Sequence, residues 1–321
     1  MKNQPRLHHY LPRFYLEGFA DPVLRAQKGR SVIWVYEKGK PIRASTPTRE
    51  AREHDFYALD VDGARDFQIE HWLGTIEQTV APIIKRLENV RYVLSQEERK
   101  WMALFVGTMH TRTPSGRDLM DNRVGPAVVR LMKEAANDMH EFASLCHRLD
   151  PVPDSGVDLE QARKDILEGR VDAASEVPNF KLLGAIETGW IEAEIFQELD
   201  WQVVYSDGAE LFLTSDHPVV AALWEPNQGI ARFHMGVNIL GVDIGFPLSR
   251  TMWLRMKRGI EPGPCRIPEL GVRLINKTAM LNAHRRAYAA ESSPKLKKLF
   301  DRRGCEASVE TFRPSWDGKL I

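Results

Sequence analysis

The stretch Ser95-Gln96-Glu97-Glu98-Arg99-Lys100-Trp101-Met102-Ala103-Leu104-Phe105-Val106-Gly107-Thr108-Met109-His110-Thr111-Arg112-Thr113-Pro114 decides the fold. It opens on a capping box, in which the Ser95 hydroxyl and the Glu98 carboxylate satisfy orphan backbone donors reciprocally. From Trp101 to Arg112 it is apolar on nearly every face, so the helix belongs inside a core. Thr113-Pro114 breaks it, and Pro114 can open another helix at the first helical position, where its missing N–H costs nothing. Upstream, Ile69, Trp72, Leu73, Ile76, Val80, Ile83, Ile84 and Leu87 trace one stripe at the spacing of a second helix. Downstream, helical patterns continue to about Leu149, Asp150–Gly156 reads as a loop, and helices are expected at about 158–169 and 179–199.

On both sides of this middle the period changes. Ser31–Tyr36 and Ile42–Thr46, joined by Glu37-Lys38-Gly39-Lys40, read as a β-hairpin, and a short strand is expected at His54–Leu59. Beyond it, Trp201–Tyr205 and Leu211–Thr214 flank the turn Ser206-Asp207-Gly208 as a second expected hairpin. Strands follow near Val219–Leu223, Ile239–Phe246 and Thr251–Met256, then a helix near Val272–His284, a strand at Arg286–Ala289 and a basic helix at Ser293–Arg302. The order defines an α+β fold. A helical middle, about 66–199, is flanked by an N-terminal β-hairpin and a C-terminal, mainly antiparallel sheet, in one compact domain. A boundary near 150–156 is compatible with the sequence without being demanded by it.

Composition narrows the class. The 321 residues are 43% hydrophobic and 27% charged, as in an ordinary globular protein, and no apolar run is long enough to span a membrane. Met1-Lys2-Asn3-Gln4-Pro5 lacks the apolar core of a secretory signal. Cys146, Cys265 and Cys305 sit in no metal-ligand or redox spacing, and their odd number argues against a disulfide framework, so a cytoplasmic location is expected. The net charge of zero covers a segregation: residues 134–200 carry 16 acidic and 5 basic side chains, whereas 250–303 carry 14 basic and 4 acidic. The basic region 250–303 either faces a polyanion such as nucleic acid, or packs against and solvates beside the acidic one.

Several chemistries lack their motifs. There is no phosphate-cradling P-loop, no dinucleotide fingerprint, no zincin helix and no serine nucleophile elbow. Three clusters remain. In His8-His9-Tyr10-Leu11-Pro12-Arg13-Phe14-Tyr15-Leu16-Glu17-Gly18-Phe19, the apolar residues Leu11, Phe14, Tyr15 and Phe19 fall at helical spacing from Pro12. His8 and His9 precede that helix in extended chain and point to opposite sides, while Tyr10 and Arg13 suit an anionic substrate at its N-terminus. Thr214-Ser215-Asp216-His217-Pro218 emerges where a strand ends, and Asp216 with His217 are the residue types of a carboxylate-oriented general base or a metal-ligand pair. Arg112 shares a face with Trp101, Leu104, Phe105 and Thr108, where it either pairs with a carboxylate or grips a substrate anion, and His110 projects to the opposite side. Asn276 is a weaker substrate-binding candidate. Each cluster also has a purely structural reading: a capped turn, a core-bonded histidine, a buried ion pair.

Their order along the chain carries a resemblance. The His8–Phe19 segment, Asp55-Phe56-Tyr57, the Ile69-Glu70 to Ile76-Glu77 helix, Arg112-Thr113-Pro114, Thr214–Pro218 and Phe246-Pro247-Leu248-Ser249 resemble the bacterial family called domain of unknown function 4238, from about residue 6 to about residue 290. The resemblance implies one continuous unit and carries no activity with it. On the residues, the expected function is a hydrolase of a phosphorylated or nucleic-acid substrate, with His8, His9, Asp216 and His217 as catalytic residues. Tyr10, Arg13, Arg112, Ser215 and Asn276 would bind the substrate. The cofactor stays open, a divalent metal included. The alternative is a non-catalytic nucleic-acid-binding or sensor protein in a stress or phage-defence setting, and a scaffold is a third reading.

Overall fold

A computed structural model describes residues 6–61, 64–119, 125–149, 158–170, 180–208, 210–225, 230–233 and 236–302. The chain enters as strand β1 (Leu7–His9) and passes through Pro12 into the short helix α1 (Arg13–Glu17). Leu11, Tyr15, Leu16 and Phe19 are fully buried, which is what anchors this terminus. Helix α2 (Pro22–Lys28) follows, with the Asp21 carboxylate accepting from the N–H groups of Val23 and Leu24 and Gly29 closing it at φ 63°. Apolar periodicity does not predict α2, because none of its side chains is buried; its caps hold it.

Strands β2 (Ile33–Glu37) and β3 (Arg43–Ser45) form the first expected hairpin, and Pro47–Arg49 make a single 3-10 turn. The strand expected over His54–Leu59 does not form. Instead β4 (Arg52–His54) pairs with β1, and β5 (Leu59–Val61) pairs with β6 (Ala64–Asp66). Asp55 stands between β4 and β5 at φ 52°, in the left-handed region that a strand cannot traverse.

The helical middle comprises α3 (Gln68–Leu87), α4 (Gln96–Thr111), α5 (Pro114–Leu119), α6 (Gly125–Ala135), α7 (Met139–Leu149), α8 (Leu159–Leu167) and α9 (Phe180–Gln197). Both arms of the capping box are present, Glu98 N–H to Ser95 Oγ at 3.2 Å and Ser95 N–H to Glu98 Oε2 at 2.9 Å. Helix α4 is central, and it crosses α9 where two glycines face each other. A β-carbon on Gly107 would fall 2.2 Å from the Gly189 carbonyl oxygen. The loop expected at Asp150–Gly156, and any boundary there, lies outside the described residues.

The C-terminal part supplies β7 (Asp200–Ser206), β8 (Thr214–Ser215), β9 (Val220–Glu225), β10 (Ile230–Phe233), β11 (Asp243–Ser249), β12 (Met252–Lys257), β13 (Gly263–Ile267), α10 (Glu269–Asn282), β14 (Arg286–Ala289) and α11 (Pro294–Arg302). One sheet runs β10-β9-β11-β12-β7-β13, antiparallel except for β13 beside β7. The second expected hairpin does not form either. Strand β7 already has a neighbour on each side, β12 and β13, so β8 has no edge to join and pairs with β14. That pairing completes a second sheet, β3-β2-β14-β8, built from both ends of the chain. The strand expected from Ile239 begins only at Asp243, and the periodicity did not predict β10 or β13. The architecture is the expected α+β one. Its largest core joins the N-terminal motif, α3, α4 and α9 to the six-stranded sheet. Among the described residues no helix is long and apolar enough to cross a membrane.

Candidate functional site

Three turns of the chain meet at the Ser215-Asp216-His217 segment. From the corner between α4 and α5, Thr113 Oγ1 lies 2.9 Å from His217 Nδ1. From the end of α10, Asn282 donates to the backbone oxygens of His217 and Val219 at 2.8 and 2.9 Å. From the α10–β14 turn, the N–H groups of His284, Arg285 and Arg286 all donate to the Asp216 carboxylate, at 2.8, 2.8 and 2.9 Å. Burial pushes that carboxyl above its usual range, against these three donors. Its oxygens are occupied by backbone, which is the geometry of a turn-holding carboxylate. Ser215 is similarly local, its hydroxyl donating to the His217 carbonyl and accepting from the His217 N–H.

His217 itself faces a titratable partner. Its ring stands 5.3 Å from that of His110, tilted by 30°, and His110 Nδ1 is 2.7 Å from Glu192 Oε2. His110 comes from the last turn of α4 and Glu192 from α9, brought together by the Gly107–Gly189 crossing one turn away. Thr113 Oγ1 also accepts from the Gly116 N–H at 3.2 Å, which fixes the hydroxyl beside His217 Nδ1. Burial opposes charge on His110, but the adjacent Glu192 carboxylate outweighs it and lifts the imidazole above its ordinary value. The His110 and Glu192 side chains keep 10% and 11% of their surface, so the pair is buried without being sealed.

The sign of this shift gives a test. A histidine whose folded value is raised adds stability that is complete below its unfolded value of 6.5 and is lost as pH rises through the folded one. His9 works the other way. Its burial lowers its value, so its effect on stability lies entirely below 6.5. The melting temperature is therefore expected to fall as pH is raised from 6.5, and Glu192→Gln should flatten that limb; equal slopes would show that the pair does not titrate as described.

The N-terminal candidates scatter. His8 is buried, its Nδ1 accepting from the Tyr57 N–H at 2.9 Å and its ring stacked on Tyr57 at 6.0 Å. His9 turns away, as the alternation of a strand requires, with Nε2 3.2 Å from the Thr48 carbonyl. Tyr10 is buried in the field of Asp216 and Arg286, and burial raises its hydroxyl far above its usual value. Arg13 is exposed and pairs with Glu17 at 2.9 Å, a surface contact worth at most about 1 kcal/mol. Arg112 is 1% exposed and donates to Glu77 Oε1 at 2.9 Å. Asn276 accepts from the Leu213 N–H and donates to the Leu211 carbonyl, pinning that segment to α10. Sequence reasoning missed His110 with Glu192, and also the buried carboxylate Glu50, which Arg43 and Ser45 hold below its usual value despite burial.

Part of the basic region is ion-paired within the chain. Arg255 and Lys257 pair with Asp243, Arg273 with Glu210 and Glu269, Arg286 with Glu37 and Glu50, and Lys297 with Asp301. Among the described residues no group of three or more His, Cys, Asp or Glu side chains is arranged to hold a metal ion. An open cavity of about 650 Å³ is lined by residues of the α9 C-terminal end, by residues 237–242 and by Arg258, and by none of the candidate side chains above.

The chain is thus an α+β protein whose central helix pair carries a buried carboxylate–histidine couple beside a second histidine. The family model described as "Protein of unknown function (DUF4238)" matches residues 7–293, and the chain belongs to that family. No curated protein and no solved structure matches it.

Proposed function

We propose that the protein is a hydrolase of phosphorylated substrates, nucleic acid included, in which His110 and His217 meet the anionic group. The observation that carries this reading is the Glu192–His110 contact of 2.7 Å with the His217 ring 5.3 Å from that of His110. When protonated, and with Nδ1 bonded to Glu192, the His110 imidazole keeps Nε2–H for a substrate oxygen. There it can stabilise developing charge or protonate a leaving group. His217 adds a second imidazole beside it. Exposed Arg285, on the turn that Asp216 holds, adds a positive charge on that turn. In this reading Asp216, Ser215 and His8 position the chain, and proton transfer belongs to His110.

The test is an assay against p-nitrophenyl phosphate, bis-p-nitrophenyl phosphate, and single- and double-stranded DNA and RNA, with and without added magnesium. At least one should turn over, and His110→Gln should lower kcat/KM by about 10²- to 10⁴-fold while the protein stays folded. A variant as active as the parent would remove the assignment. Salt-dependent nucleic-acid binding without turnover, weakened by Arg285→Gln, would favour the non-catalytic reading instead.

A further inference from the structure

We propose that Tyr57 and Arg112 form a second site, on the other face of α4 from His110, that binds one small oxyanion, a carboxylate or a phosphate. Both side chains are 1% exposed, and neither the Tyr57 hydroxyl nor Arg112 Nε has a hydrogen-bond partner. Buried donors without acceptors are rare in folded proteins, and here two stand together. The guanidinium contacts sharpen the point. Arg112 gives Nη1 to Glu77, while Nη2 meets only the Met109 sulfur at 3.1 Å, a weak acceptor. The Nε–Nη2 edge is the fork that grips a carboxylate or phosphate with two parallel bonds, and no oxygen fills it. Tyr57 sits in the field of that guanidinium, and also in those of Arg117, Glu77 and Glu70.

The surroundings fit an anion. The Arg117 guanidinium stacks 3.5 Å above Phe56 and 5.9 Å from the Tyr57 ring, adding a second positive charge. Burial raises both Glu70 and Glu77, against the pull of the Arg112 guanidinium. His8 fixes Tyr57 from behind by its stack and its bond to the Tyr57 N–H. On the α3 side, the Glu77 side chain keeps 25% of its surface and Glu70 is half-buried. This site stands independently of the hydrolase reading.

Titration calorimetry and thermal melts of the full chain with formate, acetate and inorganic phosphate, at constant ionic strength against sodium chloride, test it. At least one anion should raise the melting temperature above the chloride control, and the responder distinguishes carboxylate from phosphate. Tyr57→Phe, which removes one unpartnered oxygen, should melt like the parent without anion yet bind at least 10-fold more weakly. Arg112→Lys, which keeps the charge and loses the fork, should weaken binding as much or more. No response to any of these anions in the parent, as for a site that holds only ordered water, would overturn the proposal. So would a Tyr57→Phe variant that binds as tightly as the parent.

Discussion

Asp216→Ala is expected to destabilise the protein by about 3–4 kcal/mol, whatever it does to activity. Three backbone N–H groups, those of His284, Arg285 and Arg286, lose their acceptor at once. Each such loss costs about 1–3 kcal/mol where water cannot replace the partner, and Asp216 is 4% exposed. The sum is held down by two effects. Water reaches part of the turn, since Arg285 is exposed and His284 half-buried. Removing the carboxylate also relieves the desolvation that raises its titration. What fails is the junction of α10 with β14, and with it the pairing of β14 to β8 and β2. Asp216→Asn should cost less, about 1–2 kcal/mol, because an amide oxygen at the Oδ2 position keeps the bonds from Arg285 and Arg286. His9→Ala, which loses one 3.2 Å contact at the surface, should cost under about 1 kcal/mol. Denaturant titration of the three variants checks the order. An Asp216→Ala protein as stable as the parent but inactive would return Asp216 to the chemistry.

The sequence made legible those parts of the fold whose signal is local. The stripe from Ile69 to Leu87, the Ser95–Glu98 box and Pro114 at a helix start each specify their element within a few residues, and each stands as expected. Helix α2 was not read from the sequence, because it is an exposed segment with no apolar period, marked only by its caps Asp21, Pro22 and Gly29. Strand partners were not legible. Thr214 and Ser215 find β14 because both sides of β7 are taken, a fact of the assembled sheet. The candidate site divides the same way. The Ser215–His217 turn was visible as a polar cluster after an apolar strand, whereas His110 meets Glu192 across 82 positions. A signal existed: a histidine on a helix apolar all round has to find a buried partner, and Glu192 is an acid on a second strongly apolar helix. Arg112 was legible as an anion-binding candidate, but Tyr57 beside it was not, since that juxtaposition is a property of packing.

Gly107→Ala is expected to cost about 3 kcal/mol and to disable the histidine pair at a distance. In an exposed helix the change would add up to about 1 kcal/mol of stability through better propensity. Here the new carbon would lie 2.2 Å from the Gly189 oxygen and 3.2 Å from the Ala193 nitrogen, both backbone atoms that cannot rotate away. A carbon and a carbonyl oxygen sit comfortably at about 3.3 Å or more, so α4 and α9 must part by about 1 Å. The crossing is flanked by Phe105, Val106 and Met109, whose packing would loosen with it. His110 is three residues on from Gly107 and Glu192 three on from Gly189, so the same separation pulls directly on their 2.7 Å contact. Two measurements follow the strain to the site. The fall of melting temperature above pH 6.5 should flatten as it does in Glu192→Gln, and any His110-dependent turnover should drop with it. Gly74→Ala is the control: it lies within α3 with nothing within 4 Å of the added carbon, and it should stabilise by about 0.5–1 kcal/mol. If Gly107→Ala melts with or above the parent, the helices tolerate separation, and the close crossing is not what holds Glu192 against His110.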